Sequence, residues 1–292
     1  MQFGNFQIDA VEDGRFGLDG GAMFGIVPRP LWSRKAPPDE ANRIELALRC
    51  LLVRGEGRVI LIDNGMGEQW DEKGRQQFAL SRKPIPGLEA SLAAKGVHRH
   101  DVTDMFFTHL HFDHAGGTVQ PDGSLTFPNA MHHLQASNWH LAHHPSPKDA
   151  GSFRPCDRAG LVAGENLTLY DGPWQLTEGF DVLLSDGHTT GMQLPRIRAG
   201  GETFVYCADL IPTSAHVHLP WVMGYDRSPV ETTAEKQAVL EEAVAKGWIL
   251  VFEHDPGMDA CRVIQDERGR FRPGEVVDLG GHGRTWPEAQ VP

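Results

Sequence analysis

Short apolar runs that end in polar or charged residues recur along the chain and predict a framework rich in β-strands. The stretch "LALRCLLVRGEGRVILIDNG" has two apolar runs joined by "RGEG", a pattern typical of a β-hairpin. "PGLEASLAAKGV" then has apolar residues at helical spacing with Gly96 near its end, and the apolar run "MFFTHL" follows as a strand. The first half of the chain therefore predicts the order β-β-α-β.

The second half repeats this alternation of strands and helix. "FDVLLSDGH", "TFVYCADL" and "WILVFEHDP" predict three strands, and "SPVETTAEKQAVLEEAVAKG" predicts a helix with Thr and Glu placed for capping and Gly247 at its end. The segment 128–160 mixes a short helix with a Pro-rich loop and has no strong strand pattern, so we interpret it as the link between the halves. The tail at about 266–292 is rich in Gly, Pro and Arg and is predicted to be irregular.

Length and composition favour a single globular domain over residues 1–292, since layered sheet folds often reach ~250 residues as one unit. The apolar fraction of 40% suffices for a core. No apolar run approaches the ~18 residues of a membrane span. The amino terminus "MQFGNFQIDAVEDGRF" lacks the basic and then apolar order of a secretory signal, and the four cysteines form no CxxC pair, so a cytoplasmic protein with reduced thiols is expected.

The acidic balance of the chain narrows the choice of partners. The formal net charge is -12, whereas nucleic acids and anionic membranes require a basic face. We therefore expect a small-molecule substrate, no nucleic-acid or membrane partner, and a monomer or homodimer.

Histidines and aspartates stand where the predicted strands end. The stretch "THLHFDHAGG" follows one strand and contributes His109, His111, Asp113 and His114, and three later runs stop at His188, Asp209 and His254. Because strand ends meet along one edge of a layered fold, these side chains can converge. Five histidines and two aspartates suffice for two metal ions that share a carboxylate and a water. Imidazole and carboxylate without thiolate suit zinc, and manganese, cobalt or iron are compatible.

A second histidine cluster provides an internal contrast. "MHHLQASNWHLAHHP" contains His132, His133, His140, His143 and His144. No apolar run precedes this cluster, and the stretch is polar and helix-like. We interpret these histidines as structural or solvent-facing residues.

The series His109-Leu-His111-Phe-Asp113-His114, followed by separate His188, Asp209 and His254, resembles the HxHxDH motif and later ligands of the metallo-β-lactamase superfamily. The resemblance implies an α/β fold, the αββα four-layer sandwich, in which two mixed β-sheets are flanked by helices. It further implies two groups of metal ligands, bridged by Asp209: His109, His111 and His188 for one metal, and Asp113, His114 and His254 for the other. "LIDNG" resembles the family's Asp-Thr-Gly turn, which implies that Asp63 hydrogen-bonds a ligand histidine.

Two divalent ions held ~3.5–4 Å apart can share a water and lower its pKa toward ~7, which gives a bridging hydroxide at neutral pH. The ions can also stabilise the charge that develops on a carbonyl or phosphoryl oxygen. Asp113 is the candidate proton shuttle to the leaving group. The favoured chemistry is hydrolysis.

Two stretches outside the ligand set, "GGAMFGIVPRPLW" and "HVHLPWVMGYD", are rich in Gly, Pro, Met and aromatic residues. They predict loops, the first within a substrate loop at about 18–40, that either form an apolar pocket wall or cover ordinary core. The candidate pocket residues are Phe24, Trp32, Trp221, Met223 and Tyr225. These segments resemble quorum-quenching N-acyl-homoserine lactonases, which place a tyrosine three residues after the bridging aspartate. Pro212 stands there in this chain, so Tyr225 is the candidate catalytic replacement.

Other functions are compatible with parts of the pattern. The same hydroxide attacks phosphorus as well as carbonyl carbon, so an organophosphate phosphotriesterase or generic ester hydrolase is the alternative. A glyoxalase-II-like thioesterase would need a carboxy-terminal helical region, and a transfer-RNA nuclease would need a basic arm. A redox di-iron relative would carry glutamate in place of His111 and add a flavin domain. An inactive binding module would have lost a ligand, and the pattern retains all seven.

Overall fold

The computed structural model describes residues 1–83 and 87–281, and within them it forms two seven-stranded sheets. The strands of the first sheet, in spatial order, are β1 Gln2–Phe3, β2 Phe6–Asp19, β3 Arg43–Gly55, β4 Arg58–Ile62, β5 Asp104–Phe106, β6 Met131–Gln135 and β7 Leu167–Tyr170. Those of the second are β8 Gln175–Thr177, β9 Phe180–Ser185, β10 Met192–Ala199, β11 Glu202–Tyr206, β12 Ile249–Val251, β13 Ala260–Gln265 and β14 Phe271–Val277. Both sheets are mixed, because β4 to β7 run parallel, as do β11 and β12, while the other neighbours are antiparallel.

Seven α-helices accompany the sheets in the described residues: α1 Gly20–Phe24, α2 Arg29–Trp32, α3 Glu72–Gln77, α4 Leu88–Ala94, α5 Phe112–Ala115, α6 Ala136–His143 and α7 Pro229–Lys246. Three 3-10 helices lie at Pro155–Arg158, Ala208–Leu210 and Ser214–Val217. None of the helices described is long and apolar enough to cross a membrane.

The main core joins the facing sides of the two sheets. Ile8 and Phe106 of the first sheet belong to the same buried cluster as Leu194 and Phe204 of the second. A second cluster lies on the outer side of the first sheet, where Leu92 of α4 packs with residues of β3, β4 and β5. Leu240 of α7 is buried with the second sheet. This layering confirms the predicted αββα sandwich.

Helix α7 is capped at both ends by residues next to it in the sequence. The Ser228 hydroxyl accepts from the Glu231 amide, and Gly247 takes the left-handed conformation (φ 67°) that favours glycine after a helix. The predicted end at Gly247 is confirmed, whereas the cap at the start is a serine and not the threonine that the sequence suggested.

Two predictions about strands are wrong. The segment 128–160 contains β6, which lies inside the first sheet and includes His132 and His133. The tail from 266 contains β14, which pairs with β13 at the edge of the second sheet. An edge strand tolerates the Pro273 and Gly274 that suggested an irregular segment, because one side of it needs no hydrogen-bond partner. The expected irregularity of 282–292 lies outside the described residues.

Candidate metal centre

The seven candidate ligands are carried by the ends of strands in both sheets. His109 follows β5, and His111 stands directly before the short helix α5, which contains Asp113 and His114. His188 follows β9, Asp209 lies in the 3-10 helix after β11, and His254 follows β12. All seven side chains are buried. The fold therefore brings together residues that are 145 positions apart, from 109 to 254.

The seven side chains form two adjacent groups. One ligand atom from each of His109, His111, His188 and Asp209 lies within 4.8 Å of the others, and Asp113, His114 and His254 form a second such group. The carboxylate of Asp209 faces both groups, since Oδ2 is 3.0 Å from His188 Nε2 and Oδ1 is 3.2 Å from His254 Nε2. One carboxylate thus has an oxygen directed at each group.

The donor set fits divalent cations. His109 Nε2 and Asp209 Oδ1 are buried without a hydrogen-bond partner. Imidazole nitrogens also converge, with His188 Nε2 3.2 Å from His111 Nδ1 and His254 Nε2 3.3 Å from His114 Nε2. Buried polar atoms are normally satisfied, so orphaned nitrogens and oxygens that point at one another suit ions bound between them.

Partners on the far side of the rings orient the imidazoles. Asp63 Oδ2 is 3.0 Å from His114 Nδ1, and Asp63 also accepts from the amide and hydroxyl of Thr108, at 2.7 Å each. The carbonyl oxygen of Ala47 is 2.8 Å from His254 Nδ1. Such contacts fix the ring and its tautomer, so that the other nitrogen is free to bind a metal. Asp63 makes the contact that the sequence resemblance implied.

Sequence reasoning missed two carboxylates beside the centre. Asp226 Oδ1 lies 2.9 Å from His188 Nδ1, and Glu253 Oε2 lies 2.8 Å from His114 Nδ1. Burial raises the pKa of Glu253 to about 8, which outweighs the opposite effect of His114. The only local signal for Glu253 is its place directly before His254 in "FEHDP", and "GYDRSP" gives no signal for Asp226.

The buried Asp209 carboxylate favours the protonated, positively charged form of two neighbouring histidines. Burial lowers the pKa of His188 and of His254, but the Asp209 carboxylate reverses this and raises both to about 9. Burial and the neighbouring imidazoles lower the pKa of His109 well below its usual value. A bound cation would replace these protons, so metal binding and protonation compete at the centre.

The second histidine cluster lies apart from these groups. His132 and His133 are buried in β6, where the carbonyl oxygen of Asn166 is 2.9 Å from His132 Nδ1 and an Asp104 oxygen is 2.9 Å from His133 Nε2. The other three histidines of the cluster, His140, His143 and His144, are exposed. Among the residues that the structure describes, none of the five belongs to a candidate metal group.

Three of the five candidate pocket residues are interior. Phe24, Trp32 and Met223 are at most 3% exposed and share one hydrophobic cluster. Phe24 stacks on Trp32 with ring centroids 5.5 Å apart. The prediction that these three side chains form a pocket wall is corrected, because packing against one another leaves them no surface for a ligand.

The remaining two candidates retain accessible surface. Trp221 is half-buried, with its ring edge-on to Phe24 at 5.5 Å, and Tyr225 is 36% exposed. Burial raises the pKa of the Tyr225 phenol to about 12, and Asp113 and Asp209 add to the increase. The field of two candidate ligands therefore reaches this phenol. Its catalytic role stays a prediction.

Comparisons with known proteins agree with this architecture. The model of the Metallo-beta-lactamase superfamily matches residues 46–254. A probable metallo-hydrolase of Mycobacterium tuberculosis is 25% identical over 279 residues, covering 81% of this chain and 86% of the relative. The solved structure of a probable metal-dependent hydrolase from Staphylococcus aureus superposes with a TM-score of 0.85 at 28% identity, over 95% of this chain and all of that one. The structure of the dizinc quorum-quenching lactonase AidC, solved with a product, superposes with a TM-score of 0.76 at 23% identity, over 95% of this chain and 97% of that one. At this identity the likeness concerns the fold alone.

Proposed function

The chain belongs to the metallo-β-lactamase superfamily and is a metal-dependent hydrolase, and from this premise we propose that it opens a lactone of the N-acyl-homoserine lactone type, or a related ester, with two divalent metal ions. The observation that carries the proposal is the position of Asp209, whose two oxygens face the two ligand groups at 3.0 and 3.2 Å. A carboxylate shared in this way suits a pair of ions.

The proposed ligand sets follow the two groups. His109, His111 and His188 would hold one ion, Asp113, His114 and His254 would hold the other, and Asp209 would contribute to both. The donors are imidazole and carboxylate, which favours zinc. Ions bound there would lower the pKa of a shared water toward ~7 and draw charge from the substrate carbonyl.

The protein's own groups then orient the substrate and move protons. Asp113 accepts the proton of the attacking water and passes it to the leaving alkoxide oxygen of the lactone. The Tyr225 phenol, like any tyrosine at neutral pH, keeps its proton, and burial raises its pKa further, to about 12, so it can donate a hydrogen bond to the substrate carbonyl. This role would compensate for Pro212, which has no side-chain donor.

Exposed apolar side chains on two neighbouring loops, one of which also carries Asp226 at the His188 ring, support a substrate with an alkyl tail. Helix α1 and the loop that follows it touch the loop around Met223. The Gly224 amide donates to the Ala22 carbonyl of α1 at 2.8 Å, and a Cβ on Gly25, directly after α1, would lie 2.8 Å from the Val222 carbonyl oxygen. Ile26 on the first of these loops is 92% exposed, and Trp221 on the second is half-buried. An acyl chain that covers such side chains removes apolar area from water.

The test is an assay of the full-length protein, with metal analysis, against lactones, thioesters, phosphotriesters and phosphodiesters. We expect about two metal ions per chain, because seven ligands exceed the needs of one tetrahedral zinc. Among the substrates, we expect the fastest turnover for acyl lactones. Asp209→Ala should lower the metal content and abolish hydrolysis. A protein that is fully active with one ion would contradict the dinuclear proposal. Turnover of a phosphotriester without lactone opening would replace the lactonase assignment with the alternative.

A further inference from the structure

We propose that helix α7 braces the two sides of the candidate active site through adjacent residues: Glu235 holds the loop that carries His188, and Lys236 holds the 218–226 loop, which carries Trp221 and Tyr225. Glu235 would act on metal retention and Lys236 on substrate selectivity. The part of the inference that concerns selectivity rests on the proposed function. The bracing itself concerns only contacts within the protein.

Glu235 binds the turn directly before His188. Its Oε2 accepts from the Ser185 hydroxyl at 2.6 Å and from the Gly187 amide at 3.1 Å, and its Oε1 accepts from the Asp186 amide at 2.8 Å. The turn also lies against the helix backbone, since a Cβ on Gly187 would be 2.3 Å from the Thr232 nitrogen. Three hydrogen bonds to one carboxylate fix the turn from which the His188 side chain extends.

Lys236 binds the other loop from inside the protein. Its side chain is completely buried, and Nζ donates to the carbonyl oxygens of His216, His218 and Trp221 at 3.2, 3.4 and 2.5 Å. An ammonium has three N–H donors, and these three acceptors use all of them. Within residues 1–83 and 87–281, no carboxylate lies at ion-pair distance from Lys236. Its polar contacts are therefore with this loop and with His216 in the 3-10 helix directly before it.

Asp226 links the two sides to each other. One of its oxygens contacts His188 Nδ1 at 2.9 Å, and the other accepts from the Met223 amide at 3.1 Å. The Arg227 amide also donates to the His188 carbonyl at 3.0 Å. Asp226 thus connects the 218–226 loop to His188, while Glu235 and Lys236 of α7 hydrogen-bond to the two segments separately. The three carbonyl oxygens that Lys236 contacts belong to no proposed metal ligand, so Lys236 is a positioning residue for the 218–226 loop.

The experiment compares Glu235→Ala and Lys236→Met in the metal-loaded full chain, with Glu241→Ala and Lys246→Met, two exposed positions of α7, as matched controls. Zinc affinity is measured by competition with a chelator, mobility of 218–226 by hydrogen exchange, and selectivity as the ratio of kcat/KM for decanoyl and butanoyl lactones. Glu235→Ala should weaken zinc binding about tenfold or more, because it frees the turn before a ligand. Neither control should change any readout.

Lys236→Met should weaken zinc binding less than Glu235→Ala does, speed exchange in 218–226 and lower the selectivity ratio about tenfold, because three buried carbonyls lose their donor while Glu235 still holds the turn before His188. If it does not fold, Lys236→Gln, which keeps two N–H donors, should show the same changes to a smaller extent. Unchanged exchange and selectivity in Lys236→Met, or native 218–226 amides that exchange as fast as an unstructured peptide, would overturn the proposal. If the native protein opens no lactone, the lactonase proposal fails, while zinc affinity and exchange still decide whether α7 braces the site.

Discussion

The histidines of the candidate centre differ in the group that orients each ring. A carboxylate faces the far nitrogen of His188, two carboxylates face that of His114, and a backbone carbonyl faces that of His254. An anionic partner makes the ligating nitrogen more basic than a neutral one does. Metal affinity should therefore depend on residues that never touch the metal, and Asp226 is one of them.

Histidines inside and outside the candidate centre should respond differently to substitution. His111→Ala should lower the rate of hydrolysis by at least ~100-fold, because it removes a proposed ligand from a site whose chemistry requires the metal. Steady-state rates and metal content per chain, measured on the same preparation, check this expectation.

The matched control is His143→Ala, because His143 is exposed on α6. It should keep both rate and metal content. His132 is a poor control, since its burial in β6 means that His132→Ala would open a cavity. Loss of metal in His143→Ala would show that the two histidine clusters were divided wrongly.

The sequence predicted all seven side chains that converge at the centre. Four of them lie close together in the HxHxDH motif, and the other three stand at the ends of apolar runs. It missed Glu253, whose proximity to His114 arises from how the two sheets pack, and Asp226, which a loop before α7 brings back to His188. A carboxylate beside the second nitrogen of a histidine leaves no trace in residue spacing. Phe24 shows a further limit of sequence-based prediction. The composition of its segment suits a pocket wall as well as the buried cluster that Phe24 joins.

Strands built from apolar residues were predictable, whereas β6 was not. Its sequence, "MHHLQ", is polar, yet both histidines are buried: both ring nitrogens of His133 have polar partners, and Nδ1 of His132 has one while its Nε2 has none among the described residues. Strand prediction from apolar runs fails where hydrogen bonds replace hydrophobic contact.

The loops between strands carry the remaining surface on which substrate selectivity can depend. Trp221 of the 218–226 loop should set the preference for acyl length. Each buried methylene of an acyl chain should add up to ~0.8 kcal/mol to binding until the apolar surface is covered, so affinity should rise along a lactone series. Trp221→Ala should flatten this rise while both metals are kept, because the indole would contact the acyl tail and is not among the proposed metal ligands. Binding or KM measured across the series checks the slope.

Substitution of Ile264, an exposed apolar residue in β13 of the second sheet, controls for a general effect of surface hydrophobicity. Ile264→Ala should leave the slope unchanged. A rise in affinity that is equally steep in Trp221→Ala would exclude the tryptophan from the acyl contact and leave it as interior packing beside Phe24.

The stability of the whole molecule should depend on acidity through a histidine outside the metal centre. Burial lowers the pKa of His132 to about 4, from a usual value of 6.5. Between these values the unfolded chain binds more protons than the folded one, so the free energy of unfolding falls as the pH falls. This single group should cost about 2 kcal/mol between pH ~7 and pH ~5.

Denaturant titrations at the two pH values measure the loss. His132→Asn removes the titrating ring and keeps a donor toward the Asn166 carbonyl, so the variant should lose less stability on acidification than the native protein. His140→Asn, at an exposed position, should lose as much as the native protein does. Equal losses in native protein and His132→Asn would assign the acid sensitivity to other groups.

The proposed ligands are divided between the two sheets, and this division has a consequence for how the protein is made. His109, His111, Asp113 and His114 follow a strand of the first sheet, whereas His188, Asp209 and His254 follow strands of the second. As the ribosome releases the chain, the first sheet emerges with two of the proposed ligands for each ion and without Asp209, the proposed bridging carboxylate. The full dinuclear centre must wait until residue 254 has emerged and β12 has paired with β11. If the proposed ligands are right, completion of the metal centre is therefore expected late in biogenesis, on a chain whose two sheets have already met.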